Sequence, residues 1–333
     1  MENVKSILLI RLKSIGDVLL TLPAVSVVRQ NFPAAKITFL TSRENAPLLR
    51  GFHDVDAVIA IDRAVLRSGN PLKVIPEFFR LLRRVRGGKF ELAVDFQGYG
   101  ETAWLARLTG APQRWGCVYN TGRQWAYTHN TRRDQNFHAA ESHLALLRAG
   151  GLKIGEVKNE FFLPAEALAA AGKFFAEQKL EPAKPTLFLQ PFTSSPPKDW
   201  PLENFLALAR HWQARGGQII FGGGPADRAR LRPALDAGFV VSAGVPLLVT
   251  GGLMKLSRFT VGGDTGALHL AVAMGKRVLM LMDTSWPGHP HPFRRPDWTL
   301  SPPPARPVAE ISVTAVMAAC ESAVSGPAGN VFC

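Results

Sequence analysis

The chain has 333 residues, 47% of them hydrophobic and 20% charged, with a formal net charge of +13 at neutral pH. That length exceeds one comfortable core and favours two domains of ordinary size, and the composition is that of a soluble globular protein. No apolar run approaches the roughly 18–20 residues of a membrane-spanning helix, and the run at residues 7–10 is too short for a signal peptide. Three cysteines, Cys117, Cys320 and Cys333, are an odd number without metal-ligand spacing, so a disulfide framework is not expected and the cytosol is. The positive charge points to nucleic acid, an anionic membrane surface or phosphorylated substrates, or simply to a basic solvated surface. Zinc-finger spacing and RNP-like aromatic motifs are both missing, so nucleic acid is not the expected partner.

Residues 6–11 form a short apolar run of buried parallel-strand type. A loop follows, then a helix over 18–30 with Pro23 early in it or kinking it. Strands at 36–41 and 57–62 flank a short helix at 44–50. A basic amphipathic helix over 72–86 precedes a strand at 91–96. Residues 110–134 read as irregular and rich in Arg, Trp and Tyr, and 138–149 as helical. A proline-flanked helix at 165–179 marks a hinge, so the expected division is a first domain at 1–163, a linker at 164–184, a second domain at 185–322 and a tail at 323–333. The second series has strands at 186–190, 218–221, 239–241, 259–261 and 277–282. Its helices are expected at 202–215, 227–236, 245–257 and 308–322, although Gly251 and Gly252 weaken the third by roughly 1 kcal/mol each. Residues 283–307 form a loop too long for a simple connector. Strands alternating with helices in both halves imply two Rossmann-like parallel sheets, whose ligands bind beyond the carboxyl ends of the strands.

Five groups could carry chemistry. Gly16-Asp17 follows the first strand; Asp17 is either a plain N-cap or a general base for an attacking hydroxyl. Thr193, Ser194 and Lys198 lie in a hydroxyl-rich loop that is either a solvated connector or a cradle for a diphosphate. Gly222-Gly223-Gly224 with Asp227 is a sharp turn or a ribose contact, and it lacks the Gly-x-Gly-x-x-Gly pattern of an NAD enzyme. In the stretch 261–275, a strand turns through Gly262 and Gly263 into Asp264, Thr265 and Gly266 at a helix start, with His269 one turn in. Such a helix N-terminus suits an anion, with His269 a neutral donor or a packed helix residue. Asp-Thr-Gly is also the aspartic-protease signature, but that chemistry needs a second carboxylate triplet, which the chain lacks. Arg80, Arg83 and Arg84, with Arg86 and Lys89, are either helix-dipole partners or contacts for a phosphorylated lipid. His289 and His291 have no third ligand nearby, so no metal site is expected.

Taken together, these motifs resemble the lipopolysaccharide heptosyltransferases of glycosyltransferase family 9. The resemblance rests on Ile7-Leu8-Leu9-Ile10-Arg11, Ile15-Gly16-Asp17-Val18-Leu19-Leu20-Thr21-Leu22-Pro23-Ala24, Asp95-Phe96-Gln97-Gly98 and Gly110-Ala111-Pro112-Gln113-Arg114-Trp115-Gly116. In the second half it rests on Lys198-Asp199-Trp200-Pro201, the Gly222–Asp227 turn and Asp264-Thr265-Gly266-Ala267-Leu268-His269-Leu270-Ala271. It implies a GT-B fold, with two Rossmann-like domains about an interdomain cleft. The implied reaction is metal-independent, cofactor-free inverting transfer of heptose from ADP-heptose (the L-glycero-β-D-manno sugar) or a related nucleotide sugar. Asp17 matches the family's proposed base. Thr193, Ser194, Lys198, Asp264, Thr265, Gly266 and His269 match its donor site, and Asp227 falls at an acidic ribose contact that is usually Glu. The implied acceptor is a phosphorylated Kdo–lipid A or heptosylated core glycolipid, met peripherally on the inner face of the cytoplasmic membrane.

The chain departs from the family after the last strand, where Met282-Asp283-Thr284-Ser285-Trp286-Pro287 replaces a segment that commonly begins Gly-Pro-Thr. A sugar-nucleotide epimerase or hydrolase on the same fold would use the same donor turn without a lipid acceptor. A catalytically silent sugar-nucleotide-binding protein would have no need of Asp17.

Overall fold

The computed structural model describes residues 4–325, and the chain divides into two compact units between Phe162 and Leu163. In the first unit the strands are β1 (Ser6–Ile10), β2 (Lys36–Ser42), β3 (Ala57–Ile61), β4 (Leu92–Asp95), β5 (Gln113–Val118) and β6 (His129–Arg132). All pairs are parallel and the order is β3-β2-β1-β4-β5-β6. In the second unit β7 (Thr186–Gln190), β8 (Gln218–Phe221), β9 (Val240–Val241), β10 (Phe259–Gly263), β11 (Val278–Leu281) and β12 (Thr299–Leu300) repeat the pattern as β12-β11-β10-β7-β8-β9, again parallel. The strand order reverses between β1 and β4 in one sheet and between β7 and β10 in the other. In such sheets the crevice for a ligand opens at that reversal, beyond the carboxyl ends.

The central strands are apolar on both faces because helices cover both, which is why Ile7–Ile10 and Leu187–Leu189 are buried throughout. Several expected elements change. The helix over 18–30 is two helices, Ile15–Leu19 and Leu22–Asn31, with Pro23 in the opening turn of the second, where its missing N–H is harmless. The irregular region at 110–134 carries β5 and β6. The latter is His-Asn-Thr-Arg at the sheet edge, polar throughout and without an apolar pattern. A helix not anticipated, Gly100–Leu108, connects β4 to β5. The loop at 283–307 contains β12, and the helix expected at 227–236 begins only at Arg232. The final helix is Val313–Ser325; residues 326–333 of the expected tail, with Cys333, lie outside the described residues.

The proline-flanked helix Ala165–Glu177 is packed within the second unit, against Leu247–Leu256. The glycine pair that weakened the helical expectation is what permits this packing. A Cβ on Gly252 would lie 2.6 Å from Ala171 Cβ and 2.9 Å from the Ala167 carbonyl oxygen. Small residues on both helices let the backbones approach, so intrinsic propensity is overridden by contact. Gly172, on the same helix as Ala171, has nothing within 4 Å of its notional Cβ. Gly172→Ala should therefore stabilise by up to about 1 kcal/mol through propensity alone. Gly252→Ala should instead destabilise by about 1–3 kcal/mol through overpacking. Urea midpoints of the two variants check this; a shift of the same sign in both would contradict the packing account.

Candidate functional site

At the carboxyl end of β1 the chain places a buried guanidinium. Arg11 Nη1 donates to the Phe96 carbonyl (2.8 Å), Nε to the Lys13 carbonyl (3.0 Å), and Nη2 pairs with Asp17 Oδ1 at 2.8 Å. Asp17 is the third residue of helix Ile15–Leu19, and its Oδ2 accepts the backbone N–H of Ser14 (3.0 Å) and the Ser14 hydroxyl (3.2 Å). Asp17 thus caps its helix, yet its side chain keeps 38% of its surface exposed. Burial pushes its carboxyl up, but the Arg11 charge and the Ser14 hydrogen bonds outweigh that and hold it below the usual carboxylate range. It is an ionised carboxylate that a ligand can reach.

The segment after β4 fixes the other side of this crevice. Fully buried Asp95 accepts the N–H groups of Gln97 (2.8 Å) and Gly98 (3.1 Å) at Oδ1, and the Tyr127 hydroxyl at Oδ2 (2.6 Å). Burial raises the Asp95 carboxyl against those bonds and likewise raises the Tyr127 phenol. Two glycines are required here. Gly98 has φ +67° and a Cβ there would lie 1.7 Å from the Cys117 carbonyl oxygen, while one on Gly116 would strike the Tyr127 ring at 2.4 Å. Gln97 Oε1 then accepts the Leu12 and Lys13 N–H groups at 2.9 and 3.3 Å, stitching the loop after β1 to the loop after β4. Its buried Nε2 has no partner. The sequence motif contained Asp95 and Gln97 without assigning them work; a charge at the end of an apolar strand was the available signal.

Sequence reasoning also missed the groups around Asp17. Lys13 Nζ lies 6.0 Å over the Tyr99 ring, and Tyr99 and Tyr119 are paired at 5.2 Å. Burial raises the Tyr119 phenol, against the opposing charges of Arg133 and Arg11. The arginines expected to meet an acceptor are elsewhere in this unit. The helix Pro71–Gly87 leads into β4 and runs against the strands. Arg84 reaches the carbonyl of Val58 (3.5 Å), near the start of β3, and Arg86 that of Leu108 (3.1 Å), just ahead of β5. Arg80 pairs with Glu77, and Arg83 is exposed. This basic end belongs to the amino ends of the strands, opposite Asp17.

In the second unit Lys198 follows β7 and Asp264 follows β10. Lys198 Nζ pairs with Asp264 Oδ2 at 2.9 Å, and His269 Nε2 donates to Asp264 Oδ1 at 3.2 Å. Burial raises Asp264, but His269 and Lys198 together hold it below the ordinary value. His269 is buried and bonded to this carboxylate. Gly262 and Gly263 prove to be the last residues of β10 rather than a turn. They are small because the end of β7 and the loop after it pass close: a Cβ on Gly262 would lie 2.6 Å from the Gln190 carbonyl oxygen, and on Gly263 2.5 Å from Thr193 Cγ2. Thr265 is the N-cap of Gly266–Ala273 and accepts the Leu268 N–H at 3.3 Å. Gly266 and Ala267 fall in the first turn, whose N–H groups lack intrahelical partners.

The loop that carries Lys198 is anchored two residues on, at Trp200. Trp200 is fully buried, stacks edge-on against Phe205 at 4.8 Å and donates Nε1–H to the Ile311 carbonyl at 2.8 Å. Thr193 Oγ1 donates to the Ser195 carbonyl (2.9 Å), its N–H bonds Asp199 Oδ1 (2.7 Å), and Ser194 is exposed. Asp227 accepts the Gly224 N–H (2.9 Å) and contacts Arg230 (3.3 Å), closing the glycine turn. Asp283 accepts the Ser285 N–H at 2.8 Å in an exposed turn, and the Nδ1 atoms of His289 and His291 lie 3.2 Å apart. Among the described residues no group of three His, Cys, Asp or Glu is placed to hold a metal ion.

Residues 78–302 match the model for glycosyltransferase family 9 (heptosyltransferase). Lipopolysaccharide heptosyltransferase 1 of Pseudomonas aeruginosa is 28% identical over 298 residues, covering 85% of this chain and 79% of that one. Among solved structures, a family 9 glycosyl transferase from Veillonella parvula superposes with a TM-score of 0.87 at 21% identity, over 97% of this chain and 98% of that one. The E. coli heptosyltransferase WaaC with ADP gives 0.77 at 19% identity, over 95% and 99%. The last two likenesses are of fold: a GT-B architecture.

The crevice of the first unit has a measurable signature in stability. His143 donates to the Leu20 carbonyl (3.2 Å) and packs against Phe96 at 4.9 Å. Burial, with the charges of Arg11 and Arg133, lowers its pKa from 6.5 to about 3. Below pH 6.5 the unfolded chain therefore binds a proton that the folded chain refuses, and stability falls as pH drops from 6.5 towards 3. His143→Gln removes that difference, so its unfolding free energy should decline less steeply over the same interval. Parallel declines in the two proteins would mean the imidazole is charged in the fold.

Proposed function

Since this chain belongs to glycosyltransferase family 9, the heptosyltransferases, we propose that it transfers heptose from ADP-heptose to the inner core of lipopolysaccharide, with inversion and without a metal ion. The observation that carries the reading is Asp17: an ionised, reachable carboxylate at the strand-order reversal of the first unit, held by Arg11. The second unit supplies the complementary chemistry, a lysine and a helix N-terminus at its own reversal.

In the reaction the acceptor hydroxyl oxygen attacks the anomeric carbon of the donor as its proton passes to Asp17. The bond from that carbon to the diphosphate oxygen breaks, and ADP leaves with the electron pair. Lys198 and the Gly266 and Ala267 N–H groups stabilise the charge that grows on the diphosphate. Asp264 orients Lys198, and His269 orients Asp264 in turn. Thr193 and Ser194 offer hydroxyls to the same phosphates, and Asp227 lies at the turn proposed for the ribose. Lys13 and Arg133 give the acceptor's anionic groups a positive surround. Such an acceptor is a phosphorylated glycolipid of the cytoplasmic leaflet, so the protein works at a membrane surface from the cytoplasmic side.

Asp17→Asn keeps the helix cap but cannot take a proton. With ADP-heptose and Kdo₂-lipid A in the presence of a chelator, turnover should fall by about 10²–10⁴ while ADP binding is unchanged. Near-normal transfer by this variant would sink the assignment, and wild-type release of free heptose without acceptor would make the protein a hydrolase. Arg11 can be tested as a positioning residue. Arg11→Met removes the charge that lowers the Asp17 pKa, so the acid limb of the pH–rate profile should move to higher pH. An unmoved limb would show that Arg11 does not tune the base.

A further inference from the structure

The outward surface of helix Pro71–Gly87 is built from residues that normally avoid water. Only Glu77, Leu81 and Val85 are buried, whereas Leu72 is 84% exposed, Phe79 62% and Ile75 54%. Leu72, Ile75, Pro76 and Phe79 recur at helical spacing on the side away from Leu81, with the Phe78 ring edge-on to Phe79 at 5.9 Å. Four large apolar side chains exposed on one helix form a contiguous patch of the kind that marks an interaction site.

Charge selects the occupant. Residues 63–86 contain seven basic side chains, Arg63, Arg67, Lys73, Arg80, Arg83, Arg84 and Arg86, against a single acid, Glu77. Glu101 accepts both Arg63 (2.8 Å) and Arg67 (3.0 Å), so one carboxylate faces two cations. A helix whose apolar face has Lys73, Arg63 and Arg67 near its start and is continued by Arg80, Arg83, Arg84 and Arg86 in its last turns is suited to lie in the headgroup region of an anionic bilayer. The helix begins at the carboxyl edge of the sheet, because it connects β3 to β4 and runs against both strands. Its apolar half is therefore at the same edge of this unit as Asp17, and its arginine-rich half is at the other.

We infer that Leu72, Ile75 and Phe79 insert into the surface of a membrane rich in anionic phospholipid, docking the edge of the first unit that carries Asp17 against the bilayer. The purpose of this docking rests on the glycolipid-acceptor reading above. The docking itself is measured without donor or acceptor, so it can fail while the transferase reading stands, and the reverse.

The experiment is co-sedimentation of the full chain with vesicles of phosphatidylethanolamine and phosphatidylglycerol, with phosphatidylcholine vesicles as the contrast. The wild type should partition onto the anionic vesicles and much less onto phosphatidylcholine. Loss of each buried apolar side chain is expected to weaken partitioning about tenfold, so Leu72→Ser with Phe79→Ser should lose about a hundredfold. Phe79→Trp should retain binding. Transfer to a water-soluble, lipid-free acceptor fragment should be unchanged in the doubly substituted protein, which shows that the fold and site are intact. Wild-type-like partitioning by that protein would overturn the proposal, as would failure of the wild type to bind anionic vesicles. A lipid-free dimer that the same substitutions dissociate would assign the face to a second copy of the chain instead.

Discussion

The buried Arg11 guanidinium is the constraint on which the first unit's site depends. A charge beyond the end of a central strand must be compensated, and here three acceptors share it: the Phe96 carbonyl, the Lys13 carbonyl and Asp17. The same contacts that satisfy the charge also tie the loop after β1 to the loop after β4. They leave Asp17 ionised and oriented without burying it. Removing any one acceptor would leave the guanidinium short of partners, so structure and acid–base state are coupled at this point.

The second unit solves the same topological problem with different chemistry. Its reversal, between β7 and β10, is bridged by Lys198 and Asp264 rather than by a guanidinium and a carbonyl. The bridging lysine is about half exposed, so it keeps donors for an anion. Two residues on, Trp200 is locked into the core and bonded to Ile311, which gives the loop carrying Lys198 a fixed anchor. Gly262 and Gly263 are the steric complement of this arrangement, because larger residues in β10 would push the Thr193 loop away. One unit thus presents an ionised carboxylate and the other a cation with open helix amides, each at the position where a doubly wound sheet leaves room for a ligand.

Much of this was legible in one dimension. Apolar runs of four to six residues alternating with amphipathic stretches determined two parallel sheets, since only strands covered on both faces read that way. The order of the motifs from Ile7 to Ala271 carried the family. Asp17, Lys198 and Asp264 could be named because chemistry-bearing residues directly after buried strands are few. Elements lacking a periodic signal were not legible: β6 is an edge strand of polar residues, and β12 is two residues long within a proline-rich segment.

What tertiary structure alone decided is which of these residues meet. Local pattern left His269 as either a neutral donor to an anion or a packed helix residue; packing buries it and turns Nε2 towards Asp264. Composition left Arg80, Arg83 and Arg84 as either helix-dipole partners or acceptor contacts; the direction of their helix carries Arg84 to Val58 near the amino ends of the strands. Gly252 looked like a weak point in a helix until the approach of Ala171 made it a requirement. Sequence by itself determined the fold class, the family and the residue types at the two sheet reversals, because periodicity and motif order are local properties of a chain. The partners of Arg11, Gln97 and His269, and the solvent-facing side of Leu72 and Phe79, depend on contacts between distant segments, which spacing along one chain does not encode.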